Sequence, residues 1–193
     1  FYAYWGDGKA EVSSYRVLQP RYGEMRTGHG VLVFVTEDLN RETLIKVETP
    51  TPAADRRYTL KLNNVLKFNT GVYDYSVMTS VFSFVNSDRR ASFEFAKVSL
   101  TAQEWCGHVF DEVRASPGTL QGRLLSYFEA EGNRDYQLER PATFASEDNL
   151  LIRIRELDGA MMQAGESRPL DLLPSLWQLR RTHEEHVLKS AVL

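Results

Sequence analysis

Cysteine is almost absent. Of 193 residues only Cys106 carries a thiol, so no intrachain disulfide can form and a disulfide scaffold is excluded. That scarcity suits a cytosolic chain and equally an envelope protein that never needed bridges. Long apolar runs are missing too, and nothing approaches the roughly 20 consecutive apolar residues of a membrane-spanning helix. A strong charge of either sign is also lacking. The formal net charge is −3 with both signs interspersed, so there is no basic face to displace counterions from nucleic acid, and no nucleic-acid partner is expected. Phosphate-cradling glycine loops, a glycine-flanked nucleophilic serine and a dinucleotide fingerprint are all absent, and no cofactor is expected. The sequence begins at Phe1 rather than methionine, which leads us to expect a start, signal or lipid-attachment segment ahead of it.

What is present is an ordinary globular composition, 42% apolar and 25% charged, in a chain long enough to bury a core without staples. Runs of β-branched and aromatic residues bounded by glycine, proline or asparagine read as strands. They are Glu11 to Leu18, Tyr22 to Arg26, Val31 to Thr36, Leu44 to Glu48, Tyr58 to Leu62 and Val72 to Val85. Further runs start at Phe93 and cover Leu124 to Glu131 and Tyr136 to Glu139. Turns are expected at Gly28-His29-Gly30, Asn69-Thr70-Gly71, Asn86 to Arg90 and Ser116-Pro117-Gly118, and the two prolines of Thr49 to Asp55 mark a loop. Phe1 to Gly8, rich in aromatics, reads as a short arm packed onto the body.

The last fifty residues change character. Ser146 is an N-cap candidate, Glu147 and Asp148 suit the positive end of a helix, and Leu150, Leu151, Ile154 and Leu157 fall at helical spacing before Gly159. Pro174 to Lys189 offers a second helix, in competition with a strand from Leu170. The expected fold is mainly β (β-rich α+β), a curved antiparallel meander forming a half-barrel or sandwich, with one or two short C-terminal helices. We divide it into a β domain over residues 1–145 and a helical or mixed appendage of the same domain over 146–193.

Few residue groups point to chemistry. Trp105-Cys106-Gly107-His108 has the look of half a redox motif, but position 109 is Val109 where a resolving thiol would be needed. Cys106 therefore reads as a small buried hydrophobe on a strand. His183-Glu184-Glu185-His186 places its histidines three apart rather than the four of a zinc-protease helix, and it reads as a solvated helical face with no metal. Glu104 and Asp74 lie among Tyr73, Tyr75 and Trp105, and aromatic walls with a few polar groups characterise ligand cavities. With His108 these six form the candidate ligand-binding set. No catalytic residue is assigned, and a hydrolase using Glu104 and Asp74 with His108 stands as the rival reading.

Four stretches carry a resemblance: Trp5 to Glu11, Gln19 to Arg26, Thr70 to Phe82 and Gln103 to Val109. Over about residues 5 to 113 they resemble a family of bacterial cell-envelope proteins of unassigned function, some of which carry the label septum formation inhibitor Maf. True Maf proteins are nucleotide pyrophosphatases with a serine- and arginine-containing phosphate loop in an α/β fold. This chain has neither that loop nor the strand-helix alternation, so that activity is not carried over. The resemblance implies an exported, often lipid-anchored, β-rich protein of the envelope or periplasm, continuing beyond Leu193. The long strands, the half-barrel and the aromatic stretch Tyr73 to Phe84 point to a noncatalytic binding or structural role, with a lipid-like small molecule or an envelope protein as the expected partner.

Overall fold

The computed structural model describes residues 1–86, 93–157 and 161–193. Eight antiparallel strands follow one another in strict sequence order: β1 (Glu11–Arg21), β2 (Glu24–Asn40), β3 (Arg56–Thr70), β4 (Tyr73–Phe84), β5 (Glu94–Glu104), β6 (Gly107–Ser116), β7 (Thr119–Ser126) and β8 (Arg134–Glu139). β1 and β8 remain unpaired with one another, so the curved sheet is not closed into a barrel. A smaller sheet sets β10 (Pro169–Leu173) parallel to β9 (Phe144–Ser146) and antiparallel to β11 (Lys189–Val192). Among the described residues three short α-helices accompany the sheets: α1 (Tyr2–Trp5), α2 (Glu147–Leu157) and α3 (Leu176–Thr182).

Period-two alternation decides which side chains form the core. Leu60 and Leu62 of β3, Val77 and Val81 of β4, Val98 and Leu100 of β5, and Val109 and Val113 of β6 all point to the concave face and are buried. Against them pack Ile152 of α2, and Leu176 and Leu179 of α3, in one continuous cluster that also takes in Trp5. The N-terminal arm is therefore part of the core, anchored by a bond from Trp5 Nε1 to Glu156 Oε1 at 3.2 Å. A second, smaller cluster of Leu39, Leu44, Phe82, Phe84 and Ala96 forms elsewhere on the sheet.

Several local expectations need correction. Gly28 and Gly30 do not end a strand, because β2 runs straight through them. A Cβ at Gly28 would lie 2.4 Å from the Lys67 carbonyl and 2.8 Å from the Phe68 Cβ, so glycine serves close strand approach there rather than a turn. Leu44 to Glu48 forms only a single bridge, Leu39 to Lys46. The second helix is shorter than Pro174 to Lys189, because His183, in the left-handed region at φ 56°, stops α3 after Thr182, and the competing strand forms as well, as β10 ahead of it. His183 to His186 is therefore not a helical face. Cys106 is not buried on a strand but exposed in the tight turn linking β5 to β6. The expected turn over Ser87 to Arg90 and the helix stop at Gly159 lie outside the described residues.

Candidate functional site

The six residues singled out from the sequence separate into an inner and an outer group. Tyr75 and Glu104 face the concave side and are buried. The Tyr75 ring stacks on Phe68 with centroids 4.7 Å apart, and its hydroxyl lies 2.8 Å from that of Tyr22. Burial, and then the Glu104 carboxylate, push the Tyr75 phenol well above its ordinary range. Tyr73 and Trp105, the latter 65% exposed, make an edge-to-face pair at the rim with centroids 5.7 Å apart. Asp74 is exposed and accepts a bond from Asn69 Nδ2. His108 is exposed one position before the inward-facing Val109, on the outer face of the sheet. Adjacent strand positions point to opposite faces, so Glu104 does not converge with Asp74 and His108.

Around Glu104 the structure assembles a different group, drawn from four elements, β5, β6, β8 and α3, and the loops beside them. Arg180 of α3 donates from Nη2 to Glu104 Oε1 at 3.2 Å, and its Nη1 lies 2.9 Å from Glu131 Oε1. The same Glu131 oxygen lies 2.8 Å from His183 Nδ1. Deeper in the sheet, Asp111 of β6 accepts from the Tyr136 hydroxyl at 2.9 Å and meets His186 Nε2 at 2.5 Å. The Tyr136 and His186 rings lie 4.4 Å apart. Arg134 Nη2 approaches His186 Nδ1 at 3.4 Å. A guanidinium can only donate, so Nδ1 accepts and the Nε2 proton points at Asp111. Burial, and then the Asp111 charge, raise the Tyr136 phenol far above its ordinary value, which keeps it a neutral donor.

Local sequence explains how this group comes together. Gly122 of β7 lacks the side chain that would collide with Tyr136, since a Cβ there would stand 2.1 Å from the ring. Tyr136 can then lie across the sheet and reach Asp111. The left-handed turn at His183 redirects the chain after α3, so that His183 meets Glu131 in the loop between β7 and β8 and His186 comes back over β6 and β8. The result is a cleft of about 170 Å³ lined by Leu100, Leu124 and Leu179 together with the charged groups. Small-molecule sites usually run from about 300 to 1,000 Å³, so this cleft is too small for a sizeable substrate. Among the described residues no group of three or more histidine, cysteine or acidic side chains is arranged to hold a metal ion.

Sequence reasoning named Glu104 and the two histidines without joining them, and it did not bring Asp111, Glu131, Tyr136 and Arg180 to them. One signal was available. Asp111 shares strand parity with Val109 and Val113, and Glu104 with Leu100 and Ala102, so an acid at an inward position marks a buried ion pair.

The open edge of the large sheet is the other distinctive feature. β8 is only six residues long and carries Arg134, Asp135 and Glu139, the short charged form that discourages pairing. β1 is eleven residues long, and Val12, Tyr15 and Leu18 on it are 63%, 52% and 60% exposed. Among the described residues no backbone bond reaches β1 except from β2.

No family model, curated protein or solved structure matches the chain.

Proposed function

We propose that this is a noncatalytic binding or structural protein of the bacterial cell envelope, which docks a protein partner along the free edge of its curved sheet. The observation that carries this reading is the contrast between the two candidate surfaces. The concave face is filled by the chain's own α2, α3 and Trp5, with Ile152, Leu173, Leu176 and Leu179 at or below 1% exposure. The polar groups beneath them mostly bind one another. The β1 edge, by contrast, offers a row of main-chain donors and acceptors flanked by exposed apolar side chains, which is the arrangement used for strand addition. The envelope assignment rests on the sequence resemblance, and a chain in which no described helix is long and apolar enough to cross a membrane is compatible with it.

The test uses protein purified gently from its own source. Native mass spectrometry reads any small molecule carried along, and hydrogen exchange reads the edge amides of Ser14 and Arg16. Slow exchange at those amides with no stoichiometric small molecule is the expected result. A stoichiometric lipid released on denaturation, with both amides exchanging freely, would replace edge docking by ligand binding.

A further inference from the structure

The β1–β2 turn fixes which backbone groups face outward. Tyr22 and Gly23 both have positive φ, 53° and 76°, and they join Arg21 to its partner Glu24 in a two-residue hairpin. The turn's own bond makes Arg21 and Glu24 a hydrogen-bonded pair. The register then runs without a shift to Glu11 opposite Phe34. By alternation, every odd residue of β1 bonds to β2, and Val12, Ser14, Arg16 and Leu18 aim their N–H and C=O groups at the open side. Pro20 has the same parity, so its missing N–H falls on the open side and costs the β2 ladder nothing.

We propose that the occupant of this edge is a second copy of the chain, with β1 pairing antiparallel to β1 about a two-fold axis through Tyr15. This rests on the reading of the edge as the docking surface and names its partner. In that register Val12 faces Leu18 of the other copy, Ser14 faces Arg16, Ser13 faces Val17, Glu11 faces Gln19, and the two Tyr15 rings meet. The four outward residues of each copy all find partners, giving about eight main-chain bonds. Two apolar pairs form and no like charges meet. A two-fold axis at Ser14 would set Val12 against Arg16. An axis at Arg16 would bring the two guanidiniums together and lose a bond at Pro20. Self-complementarity of this kind is what an isologous dimer requires.

Self-association is read by sedimentation across a wide concentration range, alongside disulfide trapping in a Cys106→Ser background. Tyr15→Cys places the two thiols on a non-hydrogen-bonded pair with Cα atoms about 4.5 Å apart, within disulfide reach. Ser13→Cys leaves its two thiols on residues about 14 Å apart and serves as the register control. The expected result is a dimer that Tyr15→Cys locks under mild oxidation and Ser13→Cys does not. Ser14→Pro, which removes one outward N–H from each copy, weakens association by about tenfold or more, while unchanged far-ultraviolet circular dichroism shows that the fold is kept. A monomer at every concentration overturns the proposal, as does a dimer that Tyr15→Cys fails to lock. If Ser14 and Arg16 are nonetheless protected in source-purified protein bound to a different chain, only the second copy falls and edge docking stands. Free exchange at both amides in a monomer removes both.

Discussion

Arg180 sits between two carboxylates, Glu104 at 3.2 Å and Glu131 at 2.9 Å, with its guanidinium carbon 4.4 Å from the centre of the Phe128 ring. All three charged side chains are nearly closed off from water. Removing one partner of such a group leaves the others desolvated and unpaired. Arg180→Met is therefore expected to lower unfolding stability by about 3 kcal/mol in urea titrations, with part of the loss recovered when Glu104→Gln is added. Asp148 offers a pH test. Burial against the start of α3 raises its carboxyl from 3.8 to about 6, despite the bonds it accepts from Ser175 and the Leu176 N–H. Between those values the folded chain holds a proton that the unfolded chain has lost. The stability this group contributes is thus fully present below pH 3.8 and lost as pH rises through about 6. The difference in urea midpoint between wild type and Asp148→Asn should shift in the variant's favour as pH is raised from 4 to 7, since the amide keeps the bond to Leu176 without the charge. An unchanged difference would contradict that account.

At the scale of elements, the acids that begin α2 act on its neighbour. Glu147 Oε2 accepts the Ser175 N–H at 2.9 Å and Asp148 Oδ2 the Leu176 N–H at 3.1 Å, so the first turn of α2 satisfies donors at the start of α3. α3 has seven residues, too few to hold a helix without tertiary packing. Its stability comes from this borrowed capping and from Leu176 and Leu179, each 1% exposed. Leu176→Ala is expected to cost about 2 to 5 kcal/mol, and in hydrogen exchange the amides of Leu179 and Arg180 should lose protection first. The sequence showed acids suited to a helix start, and α2 does begin at Glu147. The role of those acids at α3 was not legible, because residues 28 apart become neighbours only through the packing of β9 beside β10.

For the whole molecule, the continuous cluster joins the large sheet to the C-terminal segment, with Val98, Val113 and Leu120 on one side and Ile152, Leu173 and Leu179 on the other. A shared core makes the two regions lose their packing together. Near-ultraviolet circular dichroism, which senses the packing of Trp5 and Trp177 with the other aromatic rings, and far-ultraviolet circular dichroism should report one coincident transition. An earlier near-ultraviolet transition would mean that the packing between the sheet and the segment after residue 145 is lost before the strands are.

The sequence by itself determined the class of fold, because strand alternation and turn residues are local signals, and a meander pairs each strand with the next one along the chain. It also singled out Glu104, whereas the inward placement of Glu104 and Asp111, which leaves both acids in need of partners, came from the register and burial of the strands. Only the tertiary structure decided what those partners are. Arg180, His183 and His186 lie more than fifty residues away, and they arrive through a left-handed turn that periodicity cannot anticipate. It likewise decided that the concave face is filled by the chain itself, and that β1 is left as the long open edge. Occupancy of a face depends on where a distant segment folds back, which is a matter of packing rather than of local pattern.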